Sequence, residues 1–207
     1  AANSTEPTAM VTTIYNVQHT TSADGMSTMA GEYVQVSGIV TGTDNVGNSS
    51  AFAIQDGSGP WTGIYCYWSH FSNCGEDSIN VGDEVTVRGT VAEYVSFGGD
   101  TTKTFTQLSS GRIVSVNSSG NVLPDAVTLA LEDVADEQYE GVRVTTGGRV
   151  VEAAVCESGA PGYNYCEWRI SNNLDFSDLD ADTINVNDRF AVTSPQLNTI
   201  ATVTGPL

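Results

Sequence analysis

Val81, Val85, Val87 and Val91 punctuate the stretch Ile79–Tyr94, with Asp83, Glu84, Thr86, Arg88 and Thr90 between them. From Glu84 to Val91 the alternation has a period near two, which predicts a half-buried strand. The Val81-Gly82-Asp83 corner supplies the turn before it, and Gly89 marks a bulge or a close backbone approach. Further short alternating runs follow the same rule: Glu32–Thr41 around Gly38, Ala51–Asp56, Gly63–Tyr67, Thr104–Leu108 and Arg112–Val116. Met10–Val17 reads as an added strand, and Ala126–Asp136 as a short acidic helix.

After residue 126 the pattern restarts. Glu140–Val144 matches Glu32–Val36 at an offset of 108, and Trp168–Asn172 matches Phe52–Asp56 at 116. Ile184–Val192 matches the start of the Ile79 stretch at 105. Three segments recurring in one order with unequal offsets predict one β unit used twice, with loop insertions between shared strands. The expected organisation is an arm and lead-in strand over 1–30, a first barrel over 31–117, a linker over 118–125 and a second barrel over 126–207.

At 207 residues the chain is long enough for two modest cores. Twenty-five acidic residues against seven basic ones give a net charge of −18. Such a surface repels phosphate backbones and anionic membranes and keeps copies apart through self-repulsion. It suits salty or calcium-containing water, which screens that repulsion. No apolar run approaches the ~20 residues of a spanning helix.

The four cysteines form two close pairs, Cys66/Cys74 and Cys156/Cys166. Four cysteines allow three connectivities; local pairing is favoured because each pair flanks a strand-like run. Metal binding is disfavoured, since neither pair has CxxC spacing and the two histidines, His19 and His70, are far apart in sequence. Two disulfides imply an extracellular protein, and the polar start Ala1–Pro7 reads like an end left by signal-peptide removal.

The first unit resembles the OB-like module of secreted bacterial nucleases of the endonuclease/exonuclease/phosphatase group and of other extracellular bacterial proteins. The blocks that carry this are Phe52–Asp56, Gly63–Tyr67, Val81–Val91 and Thr106–Leu108, so the resemblance spans about residues 30–116. It implies a five-stranded, partly open Greek-key barrel, and through the internal repeat an all-β chain of two such barrels in tandem. It brings no catalytic site, because the chemistry of those nucleases belongs to a separate domain.

The residues themselves show no catalytic set: GxSxG, a phosphate-cradling loop and a paired-histidine motif are all absent from the sequence. His70 near Cys74 and Glu76 reads as a surface-loop histidine. Asp175, Asp178, Asp180 and Asp182 form the densest carboxylate run and the one candidate calcium site, although the glycine and closing glutamate of a known calcium loop are missing. Trp61, Tyr67, Trp68 and Tyr163 are the candidate ligand-stacking residues, with Tyr65, Phe71, Tyr165 and Trp168 nearby; core filling is the alternative use of such rings. Stacking without cations suits a polysaccharide better than a nucleic acid.

The reading that follows is a non-enzymatic, secreted structural protein without a cofactor other than calcium. Its partners would be copies of itself, joined through the N-terminal arm and barrel edges into a filament or matrix. The alternatives are an extracellular binding module for polysaccharide or DNA, and an accessory domain of a secreted nuclease.

Overall fold

The computed structural model describes residues 7–44, 50–68, 79–95, 104–158, 164–172, 183–187, 196–197 and 199–207. These residues are mostly β, in two sheets that are partly barrel-like.

The first sheet holds β1 (Met10–Val11), β2 (Tyr33–Asp44), β3 (Ser50–Gln55), β4 (Gly63–Trp68), β5 (Glu84–Tyr94) and β6 (Phe105–Ser118). Its order is β1-β2-β3-β4-β6-β5, and β2 also pairs with β5, so the sheet closes on itself. Closure depends on β2 changing partner. Residues Tyr33–Ile39 pair with β5, and Ile39–Asp44 pair with β3. Gly38 sits at that bend, where a Cβ would meet the Gln55 carbonyl at 2.8 Å. The alternation read for β5 is observed: Val85, Val87 and Val91 face the core while Glu84, Thr86 and Arg88 stay half-buried. The register between β5 and β6 shifts across Gly89, where the bulge was expected.

The two runs Thr104–Leu108 and Arg112–Val116 prove to be one strand, β6, bent at Ser110 and Gly111. The expected strand over Met10–Val17 is corrected to two elements. Met10–Val11 pairs in parallel with Val34 and Gln35 of β2, and Ile14–Gln18 forms a helix, α1. Thr13 caps that helix, its hydroxyl accepting from the Asn16 N–H at 3.1 Å. Ile14 and Val17, three apart on one helix face, are fully buried in the first core.

The second sheet holds β7 (Val127–Thr128), β8 (Arg143–Ser158), β9 (Asn164–Ser171), β10 (Thr183–Asn187) and β11 (Ile200–Pro206), in the order β10-β9-β8-β11 with β7 on β8. The acidic helix expected over Ala126–Asp136 does not form. The β-branched pair Val127–Thr128 joins β8 in parallel instead, and two 3₁₀ turns follow, Leu131–Asp133 and Glu137–Tyr139.

The internal repeat is visible in the pairing. Val40 faces Ile54 in the first sheet and Val150 faces Ile170 in the second. Gly38 crowds Gln55 as Gly148 crowds Ser171, where a Cβ would meet the Ser171 carbonyl at 2.5 Å. Gln35 opposite Arg88 becomes Thr145 opposite Thr204, and each pair is hydrogen bonded through its side chains at 2.8 Å. These correspondences keep the offset of 116 for β3 and β9 but move that for β2 and β8 to 110. They also relocate the third copy. β11 holds against β8 the register that β5 holds against β2, while Ile184–Asn187 lies beside β9 as β4 lies beside β3. Alternating Ile/Val/Asn runs look alike wherever they sit in a sheet; hydrogen-bond partners distinguish them.

Candidate functional site

The two units meet along a seam of backbone contacts. Gly63, the first residue of β4, lies directly against the Gly141 backbone, leaving no room for a side chain at either position. Gly141 has φ +66, and a Cβ there would meet the Ile64 nitrogen at 2.6 Å. Buried amides stitch the same line. Gln18 Nε2 donates to the Gly63 carbonyl of its own unit at 2.7 Å and across the line to the Glu140 carbonyl at 3.4 Å, and the fully buried Gln55 accepts the Arg143 N–H at 2.7 Å. The Trp61 N–H donates to the Gln138 carbonyl at 2.7 Å. The 118–125 segment is held too: the Asn121 N–H bonds the Gly82 carbonyl at 2.9 Å, and the Asp125 N–H bonds Ser58 Oγ at 3.0 Å.

Glu140 sits in this seam with its Oε2 accepting the Thr106 N–H at 3.0 Å. Burial pushes its carboxyl up to about 8; the Thr106 bond opposes that rise, and Glu137 and Glu93 add to it. Glu93 is itself held by the Ser27 N–H and the Thr104 and Thr106 hydroxyls. Asp56 is also raised by burial, against the pull of the Ile14 N–H.

Trp61 joins Tyr15 and His19: the Tyr15 and His19 rings stack at 4.9 Å, and His19 meets Trp61 edge-on at 5.2 Å. Trp61 holds φ +64, a strained value for a residue with a side chain. Tyr67 is exposed farther along β4 and Trp68 ends that strand; Tyr163 lies outside the described residues. Trp168 fills the second core, and Tyr65 packs edge-on against Phe105. Tyr15 and His19 were missed because the stretch was read as a strand; at a spacing of four they share a helical face.

Cys66 is buried in the first core, and Cys74 lies outside the described residues. Cys156 and Cys166 face one another directly across β8 and β9. Directly opposed antiparallel residues have Cα separations that a disulfide spans. Asp175, Asp178, Asp180 and Asp182, with His70 and Glu76, also lie outside the described residues. Among the described residues no cluster of three or more His, Cys, Asp or Glu side chains is placed to hold a metal, and no helix is long and apolar enough to cross a membrane.

Among the described residues the second sheet is bounded by β10 (TINVN) and β11 (IATVTGP), neither of which carries a charged residue. In the first sheet β6 occupies the place between β4 and β5, parallel to one and antiparallel to the other. Among the described residues no strand fills the matching place between β10 and β11.

No protein-family profile and no curated protein sequence matches the chain. Among solved structures it is similar to a protein from Leishmania major Friedlin assigned as an aspartyl-tRNA synthetase, at 14% identity and a TM-score of 0.36. The match covers 64% of this chain and 25% of that one.

Proposed function

We propose that the chain is a secreted, non-enzymatic structural protein that self-associates through its barrel edges into an extracellular filament or matrix. On this reading both units are OB-like Greek-key barrels. The strand order β2-β3-β4-β6-β5 returning to β2, with β4 and β6 parallel, supports that assignment for the first, and the repeated registers extend it to the second. The observation that carries self-association is that, among the described residues, β10 and β11 have no strand on their outer sides and no charged side chain, with one proline, Pro206, at the very end of β11. Soluble proteins ordinarily blunt such edges with charges, prolines or bulges. The seam supports the reading as well, because a polymer subunit transmits geometry only if its parts are fixed relative to one another. From Met10 onward the arm is used in its own barrel, so the edges carry the association. The cross-strand position of Cys156 and Cys166 suits an oxidising compartment, which thiol titration of the denatured, unreduced protein checks.

The test is electron microscopy of the native protein with calcium present and absent. Ordered polymers are expected, strengthened by a cation that screens the charge of −18. Dispersed monomers in both conditions overturn the reading. The Tyr15–His19–Trp61 group favours a second one, a stacking site for a neutral polysaccharide, in which Trp61→Ala abolishes glycan retention and leaves assembly intact.

A further inference from the structure

A cleft of about 410 Å³ opens on the outer face of the first sheet, within the size range of small-ligand sites. Its floor is the bend of β2 at Ser37, Gly38 and Ile39. The register fixes two of its walls: Ile39 pairs with Glu84 of β5 on one side and with Gln55 of β3 on the other, and Asp56 follows Gln55. Val122 and Pro124 close a third side. They are held there because the Asn121 N–H bonds the Gly82 carbonyl at 2.9 Å and the Asp125 N–H bonds Ser58 Oγ at 3.0 Å. We infer that this cleft is a binding site for a linear alkyl diamine, whose two ammonium groups meet Glu84 and Asp56 while its methylene chain lies over Ile39 and Val122.

The chemistry of the lining selects that ligand. Two carboxylates line the cleft, and no lysine, arginine or histidine does. Arg88, on the strand of Glu84, donates from Nε to Gln35 Oε1 at 2.8 Å, and Arg143, beside Gln55, donates from Nη1 to the Pro124 carbonyl at 3.3 Å. Both cations are thus turned to neutral acceptors. Glu84 Oε2 accepts the Ser118 hydroxyl and Asp56 Oδ2 accepts the Ile14 N–H, so the second oxygen of each carboxylate has no hydrogen bond among the described residues. On a chain of net charge −18, carboxylates without a counter-charge recruit ammonium groups. The spacing calls for two of them. Glu84 and Gln55 stand two strand spacings apart, about 10 Å, with Ile39 between them. A single calcium ion, which draws its oxygens in to ~2.3–2.6 Å, does not bridge that gap. A four-carbon chain with a charge-assisted bond of about 2.8 Å at each end does. The apolar part fits as well: Val122 is 88% exposed, and a methylene chain seated in the cleft covers it. No aromatic ring lines the cleft, so a sugar finds nothing to stack on, which sets it apart from the Tyr15–His19–Trp61 group.

The test is isothermal titration calorimetry of the whole chain with putrescine, the four-carbon diamine, at two temperatures and about 20 mM salt to limit screening. One-site binding is expected, with butylamine at least ~5-fold weaker and butanediol not bound. Glu84→Gln and Asp56→Asn each keep an acceptor for the donor they now hold, and each is expected to weaken putrescine by about 5–10-fold. Asp133→Asn, at an exposed position outside the cleft, removes the same charge and is expected to leave the affinity unchanged. Circular dichroism and urea midpoints check the folding of each variant, and Glu84→Gln decides alone if Asp56→Asn loosens α1. Absence of binding at both temperatures overturns the inference. So does an equal weakening by Asp133→Asn and Glu84→Gln, which would mean counter-ion attraction to an acidic surface. Equal affinity for butylamine overturns it in favour of a single ammonium, such as a lysine side chain.

Discussion

The two units share strand positions, but the described residues close the sheet on itself only in the first. In the first, β2 bonds β3 on one side and β5 on the other, and β6 fills the gap between β4 and β5. Its core accordingly runs from α1 through Ile113, with Phe52, Ile54, Val85 and Val87 fully buried. Among the described residues the second core holds Leu131, Val150, Trp168 and Ile170, with Ile184, Val186, Ala201 and Val203 partly covered. The difference teaches that strand register and barrel closure are separable. Glycine bends and cross-strand pairs place each strand correctly even where the neighbour that would bury it is not among the described residues.

The largest effect is expected where the units meet. Gly63→Ala forces a Cβ into the Gly141 backbone, which has no side chain to move aside. Such overpacking against main chain is expected to cost about 3–4 kcal/mol. Chemical denaturation read by both tryptophan fluorescence and far-ultraviolet circular dichroism separates two cases. A lowered, split transition means that the seam couples the units; an unchanged single transition would show that they tolerate sliding and would end the rigid-subunit argument.

Glu140 tests the same seam by pH. Its carboxyl has an ordinary value of 4.5 and stands at about 8 in the folded protein, so the folded state holds that proton more tightly than the unfolded chain. The stability linked to it is complete below about pH 4.5 and is lost as the pH rises through about 8. The loss is expected to be roughly 2–3 kcal/mol, after allowing for partial solvent access. Glu140→Gln keeps an acceptor for the Thr106 N–H and removes the titration, so its urea midpoint stays flat over this window. A wild-type midpoint that does not fall between pH 5 and 8 would refute the account of this carboxyl.

A paired truncation compares the cores directly. Val87→Ala removes two methyl groups from a fully buried site and is expected to cost about 2 kcal/mol, cavity included. Val203→Ala, at the equivalent register but half-buried, is expected to cost under ~1 kcal/mol. Equal costs would mean that the second core is as closed as the first.

Much of this arrangement was legible in the chain. The alternation of Val85, Val87 and Val91 predicts the face they bury, and Gly38 and Gly89 mark the bend and the bulge where they occur. What failed shares one cause: short apolar runs carry a period but no partner. Ile184–Asn187 matched the start of the Ile79 stretch by residue type, yet its hydrogen bonds place it beside β9. Val127–Thr128 looked like part of a helix until β8 offered a parallel partner. The seam left little trace in the sequence, because Gly63, Gln55, Gln18 and Glu140 become a site only when distant segments meet. Trp61 was legible as an aromatic, but its ring group with Tyr15 and His19 was not, since a loop brings it against a helix more than forty residues earlier in the chain.

The smallest effect concerns β6, the strand whose place in the second unit no described residue fills. It crosses β5 by bending at Ser110 and Gly111, where the Gly111 Cα is pressed against the Arg88 carbonyl and Ser110 takes φ +52. Gly111 must stay glycine, since a Cβ would overlap main chain. Ser110 is exposed and holds a left-handed conformation that costs an ordinary residue about 1–2 kcal/mol. Ser110→Gly relieves that strain and gives back part of the gain as unfolded-chain entropy, so a net stabilisation of about 0.5 kcal/mol is expected. The shift reads as a small rise in urea midpoint with an unchanged slope. A fall instead would mean that the Ser110 side chain, not the bend, fixes where β6 turns, and that closure of the first barrel depends on a residue contact rather than on backbone geometry.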